Sequence, residues 1–101
     1  MTSERYRYTV APTVEFEEIE ASLVLALLAV ESLHGESQTR LDAAHATDAT
    51  NRVLVIDAST TVGQDLNRLF VGFLKREFGP DAFRVEHLRG SECRLPEEVA
   101  A

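Results

Sequence analysis

Several things are scarce in this chain, and each scarcity removes a class of function. Its 101 residues include no tryptophan and one cysteine, Cys93. One thiol rules out an internal disulfide framework and suits a reducing compartment. Beside Arg94 it reads as a lone surface thiol without a role. Positive charge is also short: 10 Lys and Arg against 17 Asp and Glu give a formal net charge of −7. A nucleic-acid surface built on bulk positive charge is therefore disfavoured. The one route left to it is a local set such as Arg7, Arg40 and Arg84 on a sheet face. Acidity instead favours solubility or a basic protein partner. Glycine and proline are few (5 and 3), and 45% of the residues are hydrophobic, so the body of the chain reads as globular and not disordered.

No long apolar run is present. The longest, Ala21 to Val30, reads ASLVLALLAV. It is about half of what a membrane span needs, and it follows Glu15, Glu17, Glu18 and Glu20. The N-terminal MTSERYRYTV lacks a secretory apolar core. The expectation is a soluble, cytoplasmic protein with no membrane contact. Phosphate-loop, nucleophile-elbow and dinucleotide motifs are absent. His34, His45 and His87 match no metal-ligand spacing, so neither metal nor cofactor is expected.

What is there has clear periodicity. Arg5–Val10 alternates with Tyr6, Tyr8 and Val10 on one side, which predicts a half-buried strand. Tyr6 and Tyr8 could stack bases as in RNA-binding sheets, but the third strand would then need aromatics, and RVLVIDA (52–58) has none. Core tyrosines are the better reading. Thr13 is a candidate N-cap for a helix from Val14 to Leu33 or His34, with Gly35 closing it. Phe16, Ile19, Leu23, Leu27 and Val30 form its core stripe. Residues 38–47 alternate weakly and predict a second strand, with Leu41, Ala43 and His45 on one side; the alanines would also suit a helix, and the competing reading keeps Leu41–Ala49 helical in an irregular α/β layer. Turn chemistry follows at 48–51. Arg52–Ala58 predicts a central strand buried on both faces. Thr61 and Gln64 fit a capping box before a second helix, Val62–Phe78, ended by Gly79-Pro80. A last strand is expected at Phe83–Leu88.

The order β-α-β-β-α-β is the split βαβ, or ferredoxin-like, plan: two helices on one face of a four-stranded antiparallel sheet. Residues 1–90 would form one α/β domain and 91–101 a polar C-terminal tail.

Two candidate sites follow. The first is the surplus of the apolar run. Val24, Leu25 and Leu28 lie off the core stripe, and among residues 21–30 only Ser22 could supply a polar outer arc. Val71, Leu74 and Phe78 would widen this surface from the second helix. It predicts a small non-catalytic interaction or oligomerisation module, an assembly, regulatory or accessory subunit that pairs with itself as a homodimer or docks a protein partner. The alternative is a minimal enzyme or anion-binding domain at the strand-to-helix turn, centred on Asp57, Ser59 and Thr60, with Asp42 or His45 for proton transfer. Against it, hydroxyls at a helix start commonly serve as caps.

Overall fold

Apolar side chains on strands of period two and helices of period 3.6 find each other across two layers. The structure, a computed structural model, describes residues 4–89; the polar tail expected from residue 91, with Cys93, lies outside the described residues. The elements are β1 (Glu4–Val10), α1 (Phe16–His34), α2 (Glu36–Asp42), β2 (Ala44–Asp48), β3 (Val53–Asp57), α3 (Thr61–Phe78), a short 3-10 turn (Pro80–Ala82) and β4 (Phe83–Arg89). The sheet is four-stranded and antiparallel, in the order β2-β3-β1-β4. As the apolar character of 52–58 predicts, β3 lies inside the sheet, with β1 beside it.

Register fixes which side chains meet the helices. Tyr8 pairs with Leu54 and Tyr6 with Ile56, so all four share one face. Tyr8, Val10, Leu54 and Ile56 form one core with Phe16, Ile19, Leu23, Ala26 and Val30 of α1 and Val62, Leu66, Phe70 and Leu74 of α3. Phe70 meets the Tyr8 ring edge-on, with centroids 4.9 Å apart. The Tyr8 hydroxyl is kept hydrogen-bonded, donating to Asn67 Oδ1 at 2.5 Å. Burial pushes its pKa up, and Tyr6 nearby adds to the effect. On the opposite face, Arg7 pairs with Glu86 across the β1–β4 ladder at 3.1 Å.

One element departs from expectation. Residues 36–42 are a helix, and the edge strand begins only at Ala44. Local bonds at helical spacing outweigh the weak alternation. Thr39 is buried and donates to the Gly35 carbonyl at 2.8 Å. Arg40 pairs with Glu36 at 2.5 Å, and Gln38 donates to Asp42 at 2.5 Å, each four residues apart. Leu41, expected on one side of a strand with Ala43 and His45, lies on this helix and is 79% exposed. Gly35 permits the sharp join between α1 and α2 through its positive φ of 86°.

The start of α1 is also held differently. Thr13 is not its cap. The N-cap is Glu15, and its side chain makes no capping bond. The preceding carbonyls are instead gathered by Arg52. Its guanidinium donates to Ala11 O at 2.7 Å, to Val10 O at 3.4 Å and to Val14 O. Its own carbonyl accepts from Val10 N at 3.0 Å. Arg52 occupies a left-handed conformation, φ 58°, at the end of the β2–β3 turn. In that turn Asn51 donates to both Asp48 carboxylate oxygens, lowering the Asp48 pKa. At the other end of β3, Gly63 lets α3 approach the strand; a Cβ there would run into the Asp57 carbonyl.

Two outcomes are expected in chemical denaturation. Arg52→Ala loses charged donors to three carbonyls and keeps the backbone strain, costing about 2 kcal/mol. Arg52→Gly relieves that strain and costs less, by up to about 1 kcal/mol. Equal losses would show that the φ of Arg52 carries no penalty. Gly63→Ala costs at least about 2 kcal/mol, because the obstruction is backbone and cannot rotate away; an unchanged midpoint would contradict the close packing.

Candidate functional site

A helix lying on a sheet should show solvent a polar arc, and α1 does not. Val24, Leu25 and Leu28 are 54%, 58% and 54% exposed. Ala21 is exposed beside them. Ser22, the one polar residue from 21 to 30, turns inward and is 5% exposed. The one residue that could have supplied a polar outer arc therefore lies in the interior, beside the core stripe. Helical rotation explains this. At about 100° per residue, position 22 falls on the same side as positions 19, 23 and 26. The outer side of α1 is thus wholly apolar from Ala21 to Leu28. Glu17 and Glu18 lie before it and Ser32 after it. The Ser32 hydroxyl donates to the Leu28 carbonyl at 3.3 Å.

The expected contribution from α3 needs correction. Leu74 is fully buried in the core, and Val71 and Phe78 are partly buried against it. The apolar arc of α3 is broad because it meets the sheet on one side and α1 on its flank. It has no surplus comparable to that of α1. Two further exposed leucines, Leu33 and Leu41, were missed as surface residues. Helical rotation does not reveal Leu33, since position 33 falls on the same side as Ser22 and Ala26, and Leu41 was expected on a strand where the structure has α2.

His34 secures the end of α1 to the first turns of α3, its Nε2 lying 2.7 Å from Asp65 Oδ2. The surface is therefore carried on a helix fixed at both ends, by Arg52 at its entry and Asp65 at its exit. No helix among the described residues is long and apolar enough to cross a membrane.

Asp57, Ser59 and Thr60 lie at the turn between β3 and α3, where their polar groups are engaged in the fold. Asp57 Oδ1 accepts from Ser59 N at 2.8 Å, and Asp57 Oδ2 lies 3.9 Å from Arg5 Nε. Ser59 Oγ accepts from Glu4 N at 3.2 Å. Thr60, not Thr61, is the N-cap: its Oγ1 accepts from Gly63 N at 3.0 Å and donates to Asp42 O at 3.0 Å. The proton-transfer candidates do not join them. The Asp42 carboxylate is held by Gln38. Ala44, not His45, is the register partner of Asp57, while His45 pairs with Ile56. Alternation then places His45 and Asp57 on opposite faces of the sheet. Partial burial lowers the His45 pKa. Protonating it in the folded state is thus harder than in the unfolded chain, and its contribution to stability declines as pH falls below about 6.5.

Near this turn lies a cleft of about 320 Å³ lined by Glu4, Tyr6, Ala58, Gln64, Asn67 and Arg68. That is the small end of ligand pockets, and Asn67 is already bonded to Tyr8. On its β4 side the Tyr6 ring stacks on His87, with centroids 4.5 Å apart. Among the described residues no three His, Cys, Asp or Glu side chains converge as a metal-binding set. No protein-family model and no curated protein matches the chain.

A cap and a catalytic hydroxyl differ in what their loss does. Thr60→Ala should destabilise the fold by about 1 kcal/mol and Thr60→Ser by less than half of that, read from urea midpoints. A Thr60→Ala midpoint equal to that of the parent would mean that the bond to Gly63 contributes nothing.

Proposed function

We propose that this chain is a non-catalytic interaction module whose docking surface is the outer side of α1. It acts by contact, pairing with itself or with a protein partner, in an assembly, regulatory or accessory role. The observation that carries this reading is the joint exposure of Val24, Leu25 and Leu28 in a stretch of helix, residues 21–30, whose only polar side chain, Ser22, is turned inward. Covering three half-exposed aliphatic side chains gains roughly 1 kcal/mol each. That is enough to contribute to association once its entropic cost is met by neighbouring contacts. Each of these residues is more than half exposed, so burial in the core does not account for their apolar character.

The frame that presents this surface reads as a variant of the ferredoxin-like plan with α2 inserted before the edge strand. The strand order and the two helices packed on the Tyr8–Leu54 face support that reading. A reducing, cytoplasmic setting fits the single cysteine.

The test is photo-crosslinking in cells. A photoreactive residue at position 28 should give covalent protein adducts that a second change, Leu25→Glu, reduces at least several-fold. The same probe at the exposed Lys75 should not give them. Because Leu25 lies outside the core, Leu25→Glu should leave monomer stability within about 0.5 kcal/mol. Position-28 adducts no more abundant than those from position 75 would sink the proposal.

A further inference from the structure

We draw no further inference here: the strongest candidate, the cleft of about 320 Å³ between the start of β1 and the first turns of α3, has its Asn67 and Glu4 side chains engaged by Tyr8 and His87 and its Gln64 and Arg68 side chains exposed to solvent, and nothing in the structure shows what would occupy it.

Discussion

A sheet can cover only one side of a helix, and in this chain α1 is apolar on both sides. That constraint orders most of what is seen here. The inner side takes Phe16, Ile19, Leu23, Ala26 and Val30 into a core built on Tyr8, Leu54 and Ile56. Burial is complete enough there to take Ser22 as well. The outer side is left with Val24, Leu25 and Leu28, each more than half exposed. The contrast with α3 is instructive. α3 is strongly amphipathic, with Gln64, Arg68, Lys75 and Arg76 exposed, so it needs no further cover.

The fold holds this surface firmly by means that lie outside the surface itself. Arg52 gathers the carbonyls ahead of α1 while sitting in a turn between two strands far away in sequence. His34 joins the far end of the helix to Asp65. Gly63 lets α3 close against β3, so that α3 can flank α1. A rigid helix presents its side chains in one arrangement, which lowers the ordering cost of association. The hydroxyls and carboxylate at the β3–α3 turn serve the same end. They bond the strand to the helix, and their geometry is that of a cap.

Much of this was legible in the sequence because it depends on periodicity. The alternation of Tyr6, Tyr8 and Val10, the stripe from Phe16 to Val30 and the density of RVLVIDA each point to the element that forms. The surplus of Val24, Leu25 and Leu28 could be read for the same reason. What was not legible depends on side-chain bonds or on tertiary position. Residues 36–42 become helix through pairs at four-residue spacing that are individually weak. Thr60 outcompetes Thr61 as the cap because Asp42 O accepts its proton. Leu74 looks like surplus in a helical projection, but it is fully buried in the core. The bonds of Arg52 across 38 to 42 positions carry no local signature.

On the proposed function, the outer side of α1 is covered when the protein works. Carbene footprinting of Leu25 and Leu28, compared between dilute purified chain and intact cells, addresses it directly. Both residues should be heavily labelled in the dilute chain and protected at least several-fold in cells, with exposed Leu41 on α2 labelled alike in both. Equal labelling of Leu25 and Leu28 in the two settings would contradict it.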